Sequence, residues 1–313
     1  MQSMKGLELS RQYYEVYGRA MIREQFPEYE NRIAVGLAGE GSQCLGYDDE
    51  ISRDHDFEPG FCLWLTKEDE RAIGFPLSRA YQKLPQEFSG IQRKKQSLFG
   101  GGRYGVLEIG EFYARFTGSA GAPKTLEQWL YLPEYALASA VSGQVFRDDL
   151  GEFSKIRTCL QQGYPEDVRR KKIAARAVTM AQSGQYNYGR CKAHGEPGAA
   201  ALALGEFVKA TVSMVFLLNN RYTPFYKWMF RGMRELPVLG EMAEKLEQLL
   251  SAEEKKRAGE QEREIEEICV LVAEELRRQG LSHGTWDYLE PHGLAVMEQI
   301  RDGKIRSLHI MEG

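Results

Sequence analysis

Apolar positions recur with two different periods along this chain, and the change of period divides it. A short β-rich apolar run at residues 33–37 stops at glycine, and "FCLWL" at 61–65 and "VLEI" at 106–109 have the same character. Each predicts a buried strand, and "QVFRDD" adds a short fourth candidate. Helical spacing lies between and around them. Ser10 is placed to cap a first helix reaching Gln25, with Tyr14, Tyr17, Met21 and Ile22 on one side and Pro27 beyond its end. "KEDERAIGFPLSRAYQKL" reads as helical in part, interrupted by Gly74 and Pro76, and "TLEQWLYLPEYALASAVSG" as helical with Thr125 as cap. Strands alternating with helices predict an α/β or α+β domain with a mixed sheet and flanking helices. From about Glu166 the pattern is helical almost throughout, which predicts an all-α second domain, a helical bundle, and a division into residues 1–160 and 161–313.

Composition allows this arrangement without adding to it. The 313 residues suffice for two cores, and 42% hydrophobic with 27% charged residues is ordinary for globular chains. A net charge of −4 argues against a general nucleic-acid binder. Five scattered cysteines without a CxxC pair look like reduced intracellular thiols. No apolar leader opens the chain and no run of about 18 apolar residues occurs, so a cytoplasmic protein with no membrane partner is expected.

The candidate chemistry is concentrated in "GEGSQCLGYDDEISRDHDFEPGFCLWL". Six acids, Asp48, Asp49, Glu50, Asp54, Asp56 and Glu58, surround little apolar material, where like charges repel. On a strand, Asp54 and Asp56 would point to one face ~7 Å apart along the chain, a seat for a divalent cation of the magnesium type. Gly41 and Ser42 follow the first predicted strand, where a glycine backbone and a hydroxyl suit phosphate oxygens. Glu108, an acid within an apolar strand, is the candidate third carboxylate, because an unpaired charge there would be costly. Asp48, Asp49 and Glu50 are expected in solvent.

Taken together, "AVGLAGEGS", "DHD" and "VLEIG" resemble the Gly-Ser…Asp-x-Asp nucleotidyltransferases of the polymerase-beta-like superfamily, most closely the small-molecule, aminoglycoside-modifying and minimal types. The longer signature also resembles an uncharacterised bacterial family known as a domain of unknown function. The resemblance implies a nucleotidyltransferase-like sheet, metal held by Asp54, Asp56 and Glu108, and Glu108 as the base that helps deprotonate an acceptor hydroxyl. Magnesium, or manganese in its place, would bridge a nucleoside triphosphate, ATP first among them. The chain departs from the family pattern at Glu58-Pro59-Gly60, which bends or interrupts the strand and affects the aim of Asp56.

Other motifs carry less. "GGGRYG" has dinucleotide-fingerprint spacing but precedes a strand, so it reads as a loop, and no Walker lysine follows any glycine cluster. "NNRYTPFYKWMFRG" places Arg221, Tyr222 and Lys227 among further aromatics and cations. This suits a nucleotide, charge for phosphates and rings for the base, or equally a packed helix junction. Arg190, beside Tyr186 and Tyr188, reads the same way. The expectation is transfer of a nucleoside monophosphate to a small-molecule or protein hydroxyl with release of pyrophosphate, the helical half closing over the nucleotide. The alternative is a non-catalytic nucleotide-binding regulatory or antitoxin-like module of the same fold. A structural helical protein with an acidic loop is the third.

Overall fold

The computed structural model describes residues 4–54 (side chains through residue 52), 57–93, 103–251 and 259–313. The chain forms two units, Met1–Pro123 with Ala136–Gln162, and Lys124–Tyr135 with Gly163–Gly313. The helical segment Lys124–Tyr135, expected with the first half, lies with the second. Its Trp129 ring meets Tyr164 edge-on at 6.2 Å, and its Glu134 pairs with Arg176.

In the first unit the strands are β1 (Ala34–Ala38), β2 (Cys62–Leu65), β3 (Glu87–Phe88), β4 (Ile91–Gln92), β5 (Gly105–Glu108) and β6 (Gly143–Arg147). Four of them make a mixed sheet in the order β5-β2-β1-β6, while β3 and β4 form a separate small ladder. β1 runs antiparallel to β2 and β6, and β2 runs parallel to β5. Every residue of β1 and β2 is buried, which explains their unbroken apolar runs. Phe61 and Trp64 are three positions apart and so face opposite sides of the sheet. Phe61 packs against Tyr13, Tyr14 and Tyr81, and Trp64 stacks on Phe153 at 3.9 Å with Phe112 at its edge.

The N-terminal helix starts at Gly6, passes through a wide turn at Tyr14–Gly18 and ends at Gln25. Ser10 is therefore buried inside it and caps nothing. Helix Lys67–Gln82 runs through Gly74 and Pro76. Thr66 caps it by accepting from Asp69 N, while Ile73, Leu77 and Tyr81 bury one face. Pro76 is on the exposed face, where water can satisfy the carbonyl left free by its missing N–H. Pro133, by contrast, separates helices Leu126–Tyr131 and Glu134–Val141. Asp48 also departs from expectation: it is buried, accepts from Gly6 N at 2.7 Å and pairs with Lys5 at 3.8 Å.

The described residues of the second unit carry helices and no strand. Helix Pro197–Leu218 has the length and apolarity of a membrane span, but 67% of its most apolar window is buried inside the protein. A network of charges binds this unit. Glu134 Oε1 accepts from Arg176 Nη2 at 2.9 Å, and Ser213 Oγ shares its hydrogen between both carboxylate oxygens at 2.9 and 3.0 Å. Thr223 Oγ1 also donates to Glu134. Arg176 Nε donates to Ser213 Oγ at 2.8 Å and Nη1 to the Gly313 carbonyl at 2.9 Å. Burial pushes the Glu134 carboxyl up, but Arg176, Lys172 and the two hydroxyls outweigh it and hold the group below its ordinary value.

Lys172 is the cation this network does not neutralise. It is 2% exposed, forms no ion pair within 4 Å among the described residues, and lies over the Tyr164 ring at 5.4 Å. Burial pushes its ammonium down to about 8; Glu134 opposes that shift and Arg176 adds to it.

Two outcomes follow from this packing. Phe153→Ala opens a hole beside Trp64 and is expected to cost about 3–5 kcal/mol in urea denaturation. Lys172 has a folded pKa of about 8 against an ordinary 10.5, so the unfolded chain binds more protons between those values. Its cost is full below pH 8 and falls as pH rises toward 10.5. Lys172→Met is expected to be more stable than wild type at pH 7 by about 2 kcal/mol, with the gap narrowing above pH 8. Denaturation midpoints measured across that range check both the sign and the window.

Candidate functional site

The strand directions decide which residues meet. Because β1 is antiparallel to β2 and β2 parallel to β5, the end of β1 lies beside the beginnings of β2 and β5. There the chain turns through Gly39 and Gly41, with φ of 108° and 105°, into the short helix Ser42–Leu45. These backbone angles strongly favour glycine. A Cβ at Gly41 would stand 2.4 Å from Arg103 Nη2, the terminal nitrogen of that side chain. The guanidinium of Arg103 thus lies directly against the Gly-Ser turn.

Gln43 and Tyr104 hold this arrangement. The buried Gln43 accepts from Tyr104 OH at 2.9 Å and from Arg103 Nη2 at 3.4 Å. Tyr104 in turn lies on Gly60, where a Cβ would come within 2.9 Å of its ring. The glycine of the Glu58-Pro59-Gly60 interruption therefore makes room for the ring that links the approach to β2 with the Gly-Ser turn. Burial pushes the Tyr104 phenol up, so it remains a neutral donor.

The predicted acids fare differently. Asp54 ends a 3₁₀ turn, Ile51–Asp54, and β2 begins only at Cys62, so the strand alternation expected for Asp54 and Asp56 does not apply. The Asp54 side chain, His55 and Asp56 lie outside the described residues. Glu108 pairs with Leu65 at the end of β5, about 10 Å along the strand from Gly105, and the Gly-Ser turn lies beyond the Gly105 end. Its carboxylate accepts from Gly110 N at 2.8 Å and Glu111 N at 2.7 Å, capping helix Ile109–Thr117. That cap gives the carboxylate two donors in this apolar strand. The structure does not bring Glu108 together with Gly41 and Ser42. Among the described residues no cluster of three His, Cys, Asp or Glu is arranged to hold a metal ion. Asp49, expected in solvent, is exposed and accepts from Ser52 N at 3.0 Å.

In the second unit a cavity of about 390 Å³ lies against the Glu134–Arg176 network. The segment "NNRYTPFYKWMFRG" contributes to it, though not through the residues expected. Thr223, Pro224, Phe225, Tyr226 and Met229 line the cavity, whereas Arg221, Tyr222 and Lys227 do not. Arg221 and Lys227 are exposed, and Tyr222 is buried edge-on against Tyr164 at 4.8 Å. Arg190 is exposed over the Tyr186 ring at 5.0 Å and is likewise not in the lining. The cations that line the cavity are Arg176 and Lys209. A signal for Arg176 was available: it is one arginine within "IAARAV", whose Ile173, Ala174, Ala175, Ala177 and Val178 are all buried. Arg103 was within a loop motif and carried no such mark.

Residues 129–229 match the model of a family described as a domain of unknown function, DUF4037. The matched span contains every residue lining the cavity, and it lies beyond the Gly-Ser turn. No curated protein matches the chain. Among solved structures, the chain is similar to a nucleotidyltransferase-like protein from Exiguobacterium sibiricum 255-15. The identity is 12% and the TM-score 0.37, over 91% of this chain and 80% of that one.

Proposed function

We propose that this chain is a magnesium-dependent nucleotidyltransferase, with ATP as the first candidate donor and a small-molecule or protein hydroxyl as acceptor. The observation that carries it is the turn at the end of β1, where two positive-φ glycines lead into Ser42 and the second of them, Gly41, lies against the Arg103 guanidinium. Exposed backbone, a hydroxyl and a fixed cation are the groups that triphosphate oxygens require. Asp54 and Asp56, an oxygen-only pair one residue apart, suit magnesium and would hold it. When bound, the ion would neutralise the charge that develops on the triphosphate.

The chain's own groups then have distinct tasks. Gly41 and Ser42 position phosphate oxygens, and Arg103 offsets their charge. Gln43 and Tyr104 keep the guanidinium in place. The acceptor hydroxyl attacks the α-phosphorus in line as its proton passes to solvent, the bond from the α-phosphorus to the oxygen bridging to the β-phosphate breaks, and pyrophosphate leaves. Glu108 is left with its capping role. A cytoplasmic setting accords with the five cysteines, all of which are free thiols.

The decisive comparison uses ATP, GTP and CTP with magnesium, nucleotide binding by calorimetry, and pyrophosphate release in the presence of a metabolite extract. Asp54→Asn with Asp56→Asn is expected to lower release by about 100-fold or more, and Arg103→Ala to weaken nucleotide binding about tenfold. Binding without release by wild type favours the regulatory module instead. Release that survives the double substitution removes the assignment.

A further inference from the structure

The cavity of the second unit has features that nucleotidyl transfer does not use. One helix face presents Glu206, Lys209, Ala210 and Ser213 at spacings of three, four and seven residues, while Arg176 and Thr179 approach from a neighbouring helix. The opposite wall is aromatic. Tyr135, Phe225 and Tyr226 are 47%, 45% and 68% exposed, although Tyr135 lies 5.9 Å from Phe225 and Phe225 4.4 Å from Tyr226. Contiguous aromatics left in water beside a concave site mark a binding surface rather than core.

Charge completes the description. Of the five N–H donors on Arg176, three are engaged, by Ser213, Gly313 and Glu134. Two remain on a side chain that lines the cavity. Glu134 pairs with Arg176 at 2.9 Å, and Lys172, outside the lining, lies close enough to add to the field that holds the Glu134 carboxyl down. At the mouth, Glu206 and Lys209 are both exposed and form no ion pair within 4 Å among the described residues.

We infer that this cavity binds a small organic anion that carries a ring, a carboxylate or phosphate group accepting from Arg176 and Lys209 while the ring lies against Tyr135, Phe225 and Tyr226. The anion takes up the Arg176 donors that the protein leaves unused, and the ring covers the exposed aromatic wall. A cationic ligand would use the same rings but oppose Arg176 and Lys209. The inference concerns the second unit alone and stands whether or not the first transfers nucleotides.

Calorimetry on the full chain with phenyl phosphate, phenylacetate, benzyl alcohol and benzyltrimethylammonium tests this. One or both anions are expected to bind saturably, the tighter one identifying the headgroup, with benzyl alcohol at least about tenfold weaker. Lys209→Glu and Tyr226→Ala, both at exposed positions, are expected to weaken the anion about tenfold each while leaving the thermal midpoint unchanged. Asp54→Asn with Asp56→Asn should leave anion binding intact, which separates this site from the Gly-Ser turn. Absence of saturable anion binding overturns the inference. So does preference for the ammonium probe, indifference to both cavity substitutions, or loss of binding in the double aspartate variant.

Discussion

A buried charge must have a partner, and in the second unit that requirement organises the helices. Glu134, at the start of one helix, is answered by Arg176 from a second, Ser213 from a third and Thr223 from a connecting segment. Each contributes a hydrogen bond that only this arrangement of elements provides. Arg176 extends the network to the Gly313 carbonyl, while Lys171, fully buried, donates to the His309 and Ile310 carbonyls at 2.8 and 2.9 Å. The final residues are thereby held by charge-assisted hydrogen bonds from helix Glu166–Met180. Such a network is worth little net energy when complete but is costly to break, so it specifies one packing against its competitors.

In the first unit the corresponding constraint is strand direction. Apolar runs explain why β1 and β2 are central, but the directions determine where chemistry can collect. With β1 antiparallel to β2, the Gly-Ser turn meets the chain entering β2 and β5, which is where Gly60, Arg103 and Tyr104 lie. Glu108 is only four residues after Tyr104 in sequence, yet β5 carries it to the other end of the sheet. Proximity in sequence thus misleads here, and register decides.

This separates what was legible in the sequence from what was not. The four strands of the main sheet lay open because each is a short apolar run bounded by glycine or polar residues, whereas the two-residue strands β3 and β4 carried no such mark, and Thr125 with Gln128 forms a capping box. The fate of Asp48 was hidden, because its partners Lys5 and Gly6 are more than 40 residues earlier. Pro76 looked like an interruption because propensity is local, whereas the burial of Ile73, Leu77 and Tyr81 on the far side of the helix is not. The aromatic segment after Asn219 stands out in the sequence, but its spacing could not show that Tyr222 turns inward while Phe225 and Tyr226 stay in water. Arg103 is the clearest loss: inside a glycine-rich loop, nothing local distinguishes it from any surface cation.

Lys172 is placed where stability alone gives little reason for it, in an interior that pushes its ammonium down to about 8. Packing of this kind normally selects against unmatched charge, and an apolar side chain would occupy the Lys172 position at lower cost. Local rules are broken most often where a protein needs the broken feature for something other than folding. The unused Arg176 donors and the exposed rings of Tyr135, Phe225 and Tyr226 are two such departures meeting at one cavity, and a single ring-bearing anion would resolve both.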